Sequence, residues 1–119
     1  MTIAKHLPIY AVTYELLSIA TDLTKNIPRD FKSSLGGRMR DECVEMLMLV
    51  SRANAAMDKA PHLSALLVRL QVAEVLFRLF KDKRFISITQ YAKAVELTAQ
   101  IGKQAGGWKK KFTASTPVA

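Results

Sequence analysis

Apolar residues along this chain recur at steps of three and four, the spacing that keeps side chains on one face of an α-helix. From Pro8 the positions Ile9, Val12, Leu16, Ile19 and Leu23 form a first such stripe. Pro8 suits a first helical turn, where its missing N–H is not needed, and Ile27-Pro28 ends the segment because a residue before proline is pushed out of the helical region. A second stripe runs through Phe31, Leu35, Met39, Cys43, Met46, Val50 and Ala53. It crosses Gly36-Gly37, and interior glycines cost on the order of 1 kcal/mol each against alanine. Either the helix starts after them, capped by Ser33 or Ser34, or a neighbouring backbone packs closely there; the unbroken phase of the stripe favours close packing.

The polar stretch Asn54 to Lys59 predicts a connection, with Pro61 in the first turn of a third helix carrying Leu63, Leu66, Leu70, Ala73, Phe77 and Phe80. Leu67, Val75, Leu76 and Leu79 add apolar surface outside that seam. A helix that is apolar over more than one face has more to bury than one bundle stripe provides, so these four residues predict a subunit interface. After the polar Lys81-Asp82-Lys83-Arg84, the sequence Ser87-Ile88-Thr89-Gln90 has the form of a capping box. Ile88, Tyr91, Val95 and Thr98 then carry a fourth helix into Gly102 and Ala105. Gly106-Gly107 is the expected stop, with Trp108 folded back on the core. No strand-like alternation competes. The reading is an all-α fold, an antiparallel up-down four-helix bundle, with residues 1–112 as the bundle domain and 113–119 as a flexible tail.

Composition narrows the partners. The 119 residues hold 18 Lys+Arg against 10 Asp+Glu, a formal net charge of +8. The excess is uneven: residues 1–60 contain 8 basic and 7 acidic side chains, residues 61–119 contain 10 basic and 3 acidic. No acid follows Glu96, only Lys103, Lys109, Lys110 and Lys111; Lys81, Lys83 and Arg84 form a second cluster before the fourth helix. In an up-down bundle these two groups fall at opposite ends of that helix, and each has the cation supply that phosphate contacts require. Lysine runs also serve merely to solubilise a surface, and the missing acids are what bring the binding reading level with that one. Trp108, beside the lysine run, is either a packed helix-end residue or a platform for a base; packing is the commoner use.

Other chemistry is thin. The single Cys43 cannot form an internal disulfide and lies on a core stripe, where cysteine acts as a small hydrophobe. His6 and His62 have no partner at metal-ligand spacing, Asp41, Glu42 and Glu45 are read as a solvated or interface charge cluster, and neither Gly-Gly pair has the form of a phosphate loop. No catalytic residue, metal or cofactor is expected, and the chain reads as a non-enzyme. It shows no secretory signal and no apolar run long enough to cross a bilayer, which points to a cytoplasmic protein.

Five segments fall in an order that resembles one family: Asn26-Ile27-Pro28-Arg29-Asp30-Phe31 with Leu35-Gly36, Ser51-Arg52-Ala53-Asn54, Leu76-Phe77-Arg78-Leu79-Phe80-Lys81-Asp82, Ile86-Ser87-Ile88-Thr89-Gln90-Tyr91, and Ile101-Gly102-Lys103-Gln104-Ala105-Gly106-Gly107-Trp108-Lys109. They resemble the accessory variability determinant proteins of diversity-generating retroelements, relatives of the small four-helix proteins encoded in 23S ribosomal-RNA intervening sequences. The likeness runs from about Tyr10 to Lys110, its Gly-Gly-Trp-Lys ending being the most specific part. The resemblance implies a basic bundle that assembles as a homopentamer, binds RNA and DNA, and contacts a reverse transcriptase. It also implies that Gly36 and Gly102 serve close helix approach. An intervening-sequence-type protein, and a module docking an acidic protein partner, are the alternatives; membrane binding is disfavoured, since no helix pairs a basic face with an aromatic insertion face.

Overall fold

The computed structural model describes residues 3–114. After a single 3-10 turn at Ala4–His6, helix α1 spans Pro8–Leu23, with its proline at the start as the sequence predicts. Its last turn tightens into a 3-10 turn, Thr24–Asn26, where the Thr24 hydroxyl donates to the Thr21 carbonyl at 2.7 Å; Ile27, extended and buried, then closes the helix before Pro28. A one-turn helical piece, Arg29–Phe31, leads through a π-helical turn, Lys32–Gly36, into helix α2, Gly37–Ala55. Helix α3 spans Ala60–Asp82 and helix α4 spans Ile88–Ala114.

The helical path therefore continues through Gly36-Gly37. A Cβ built at Gly36 would lie 3.3 Å from Thr24 Cγ2 and 3.4 Å from Ile27 Cδ1, so the close approach there is to side chains ending α1 rather than to backbone. The π turn takes up the extra residue, a usual way to absorb a local misfit.

Each helix packs on two others, α1 against α2 and α4, and α3 against α2 and α4, in an antiparallel up-down four-helix bundle. The molecule is elongated, 53 × 22 × 21 Å. The core holds much of the predicted seams of α1 to α3, with Ile9, Leu16 and Leu23, then Met39, Cys43, Met46 and Val50, then Leu63, Leu66, Phe77 and Phe80. On α4 the expected seam is corrected: Ile88 and Val95 are 78% and 42% exposed, and the buried face is Ala94, Leu97, Thr98 and Ile101, the three-four repeat that leads in phase into Ala105. Gly102 brings α4 close to α3, with Leu70 Cδ2 3.3 Å from where its Cβ would lie. The capping box forms both bonds: the Ser87 N–H donates to Gln90 Oε1 at 2.8 Å, and the Gln90 N–H to Ser87 Oγ at 3.0 Å.

Two further expectations are corrected. Helix α4 does not stop at Gly106-Gly107 but runs on to Ala114. Neither glycine has positive φ or a neighbour within 4 Å of a Cβ, whereas Ala105, Trp108 and the half-buried Phe112 continue the inner seam; their packing outweighs the glycine cost. The helix thus passes the expected domain limit at 112, and residues 115–119 of the expected tail lie outside the described residues. Glu42, in turn, is not on the solvated face: it is 4% exposed. It steps three residues from Met39 and seven before Leu49, so it shares their inner face, while Asp41 is exposed and Glu45 half-buried. Among the described residues, no helix is long and apolar enough to cross a membrane.

Candidate nucleic-acid interface

The bundle brings the sequence-predicted cations together at two separate ends. At one end meet the start of α1, the α2–α3 connection and the end of α4. Lys59 organises this end: its Nζ donates to the carbonyls of Ala53 at 2.9 Å, Asn54 at 3.2 Å and Ala56 at 2.8 Å, satisfying the open C-terminus of α2. The same ammonium lies 5.9 Å from the Trp108 ring centroid and 5.2 Å from that of Phe112, tying the end of α4 to the α2–α3 connection. The sequence reading did not single out Lys59; a lysine just past a helix C-terminus is the signal it carried.

On α4, Lys103, Lys110 and Lys111 are exposed and Lys109 is half-buried. Lys103, Gly107 and Lys111 follow at steps of four and lie along one flank of the helix. They border a hollow of about 510 Å³ formed with Leu7, Pro8, Ile9 and Trp108.

The other end holds Lys81, Lys83 and Arg84. Lys81 is half-buried, 4.8 Å from the Tyr91 ring centroid and 3.4 Å from the Asp82 carboxylate. Lys83 and Arg84 are exposed, and neither forms an ion pair among the described residues. Arg84 has φ 60°, the one non-glycine positive φ among the described residues. Its N–H donates to the Lys81 carbonyl at 2.9 Å, and the Phe85 N–H to the Phe80 carbonyl at 2.8 Å, which is a Schellman motif with arginine where glycine is usual. Phe85 then stacks on Phe31 at 5.9 Å and tilts against Phe80 at 6.3 Å, locking this end. Lys81 and Arg84 also line a shallow hollow with Asn26, Ser87 and Gln90.

Much of the other positive charge is matched. Beside the second end Arg78 meets Asp82 and Lys25 meets Asp22, each at 3.9 Å. Along the bundle Arg38 and Arg69 donate to the buried Glu42 carboxylate at 2.9 and 3.1 Å, Arg52 meets Glu45 at 3.2 Å, and Lys93 meets Glu15 and Glu96, each at 3.7 Å. The predicted interface residues of α3 divide. Leu67 and Leu76 rest partly on the core, Leu79 is half-buried, and Val75 is 67% exposed. Val75 and Leu76 border an apolar groove of about 480 Å³ together with Leu35, Val68 and Val72, between α3 and the start of α2. Leu67 lies on the opposite flank of α3 by helical spacing, so the four do not form one patch.

Nucleophile and metal chemistry find little material here. The Cys43 thiol is buried and pushed from an ordinary 9.0 up to about 12, first by desolvation and then by the Glu42 charge. No group of three or more His, Cys, Asp and Glu side chains able to hold a metal occurs among the described residues.

No curated protein and no solved structure matches the chain. A sequence-family model described as bAvd-like matches residues 5–112, from the first 3-10 turn through Phe112, and so takes in all four helices and both basic ends. The chain therefore belongs to the bAvd-like family, that of the accessory variability determinants its sequence resembles.

Proposed function

We propose that this bAvd-like chain is a non-enzymatic accessory protein that binds nucleic acid through its two basic ends, acts as an oligomer, and has a reverse transcriptase as its protein partner. The observation that carries the reading is the allocation of charge. Ion pairs hold Arg38, Arg52, Arg69 and Lys93 along the bundle and Lys25, Arg78 and Lys81 beside the second end, whereas Lys83, Arg84, Lys103, Lys110 and Lys111 stand exposed without an ion pair among the described residues. Cations so placed bind phosphates with little base preference and release counterions as they do, so affinity must fall steeply with salt. The exposed Val68 and Val75 beside the α3 groove supply the apolar area for self-association, with a homopentamer as the family's form.

Binding of duplex and single-stranded oligonucleotides across a salt series tests this. Replacing Lys103, Lys109, Lys110 and Lys111 by Ala should weaken binding to all sequences alike. For each phosphate that is no longer neutralised, the log–log salt slope should flatten by about 0.9 for duplex DNA and about 0.7 for single strands. No binding at low salt, or an unchanged slope in the variant, overturns the reading. A reverse transcriptase retained in a pull-down after nuclease treatment supports the protein contact. Light scattering that finds only the 13.3 kDa species removes the oligomer.

A further inference from the structure

We infer that the hollow between the start of α1 and the end of α4 receives an unpaired base of a single-stranded nucleic acid, with the flanking phosphates on Lys103 and Lys111. The inference rests on the nucleic-acid reading above and adds to it a site and a preference for strand form. Leu7, Pro8, Ile9 and Trp108 make the hollow apolar, and its volume of about 510 Å³ leaves ample room for a planar ring. Lys103 and Lys111 stand at its border, both exposed and without an ion pair among the described residues, in a stretch with no acid after Glu96.

An occupant must therefore offer an apolar face to the floor and negative charge to the border on both sides. The two lysines are eight residues apart on one helix, about 12 Å along its axis. Consecutive phosphates of an unstacked strand stand farther apart than the about 3.4 Å of a duplex strand, so the phosphates on either side of a splayed base reach toward both lysines, which one anionic headgroup cannot do. Single-stranded nucleic acid alternates rings and phosphates on this scale and leaves its rings free to stack, whereas a duplex keeps its bases in its own stack. Trp108 supplies the aromatic surface, and Lys59 near its ring helps hold it in place.

Trp108 is the only tryptophan, so its fluorescence reports on this hollow alone. The full chain is titrated at low salt with a short mixed-sequence single-stranded RNA, with the matching duplex, and with dodecanoate as a single-headed apolar anion. The single strand should quench Trp108, and the duplex should bind without doing so. Trp108→Leu, which keeps every charge, should lose about tenfold in single-strand affinity and leave duplex affinity unchanged.

Trp108 also packs on the core, so a second variant leaves it intact. Gly107 lines the hollow in helical conformation, with nothing within 4 Å of where a Cβ would lie, so Gly107→Leu should fill the hollow without disturbing the fold. It too should cost about tenfold for the single strand alone, with helicity and melting temperature kept. The inference is overturned if Gly107→Leu leaves single-strand affinity unchanged, if strand and duplex quench equally, or if dodecanoate quenches where the bound single strand does not. If neither oligonucleotide binds at low salt, the nucleic-acid reading itself fails and takes this site with it.

Discussion

Arg84 closes α3 in a backbone conformation that its side chain opposes. At φ 60° the Cβ of an L-residue crowds its own backbone, at a cost of about 1–2 kcal/mol that glycine does not incur. Replacing Arg84 by Gly relieves that strain. About 0.4–1 kcal/mol is returned through the greater freedom of glycine in the unfolded chain, leaving a net stabilisation of about 0.5–1 kcal/mol. The Arg84 side chain is exposed and has no ion pair among the described residues, so its removal offsets little of this gain. For a chain of this length the gain corresponds to roughly 2–5 °C in melting temperature. Arg84→Ala removes the same charge but keeps the strain, and should melt within about 1–2 °C of wild type. In nucleic-acid binding the order differs: Gly and Ala should weaken affinity to the same extent, and Lys should retain most of it. Thermal unfolding of the three variants beside wild type, with oligonucleotide binding at one fixed salt concentration, gives both readouts. The reasoning is refuted if Gly and Ala melt together, since the strain would then be absent, or if both bind as tightly as wild type.

Other outcomes follow from named contacts. Glu42→Ala leaves Arg38 and Arg69 without their buried acceptor; because both arginines are partly exposed and rehydrate, the cost should be about 1–3 kcal/mol by urea unfolding. Ser87→Ala removes one arm of the capping box and should cost about 1 kcal/mol. Gly106→Ala, with open space where its Cβ would lie and helical backbone, should stabilise by about 0.5–1 kcal/mol. The Cys43 thiol, raised from 9.0 to about 12 when folded, stays neutral while the unfolded thiol ionises. Its stability contribution is thus complete below pH 9 and declines between pH 9 and about 12, by about 1.4 kcal/mol per pH unit. Urea unfolding over pH 8–11 should accordingly show a shallower alkaline decline in Cys43→Ala than in wild type, and equal slopes would remove the argument.

The helices were legible because each carries a three-four repeat, which becomes the buried face on α1 to α3, while α4 buries Ala94, Leu97, Thr98 and Ile101 rather than the repeat through Ile88 and Val95; the Ser87–Gln90 box marks a start that propensity alone would blur. The misreadings share one cause, which is that local rules yield to partners distant in sequence. Gly106-Gly107 ends a helix by propensity, but the seam from Ile101 through Ala105 to Trp108 carries α4 past it. Glu42 is polar by type, which reads as part of a solvated or interface charge cluster, although its position on the helix matches Met39 and Leu49. Its burial becomes tolerable only once Arg69, 27 residues away, reaches it. For the candidate site, the two lysine clusters and their separation were readable from the chain. The hollow beside Trp108 was not, because the start of α1 forms part of its wall, and only the antiparallel packing of α1 on α4 brings those residues to Lys103 and Lys111.

That packing gives the charge distribution its meaning. An excess of cations on a small surface normally opposes folding by self-repulsion. Here the cost is limited by geometry: the bundle is 53 Å long, so its two basic ends are separated by several Debye lengths of about 8 Å at physiological salt and hardly repel one another. Within each end, aromatic rings and helix carbonyls take part of the load. Lys81 lies over Tyr91, and Lys59 meets three carbonyls as well as the rings of Trp108 and Phe112. The cations held in this way fix the ends of the helices, which leaves the exposed lysines and Arg84 standing on rigid supports. On the proposed reading, a pre-set array of that kind would lose little further entropy on meeting a polyanion, and so would use its charge more fully than the same residues in a loose tail.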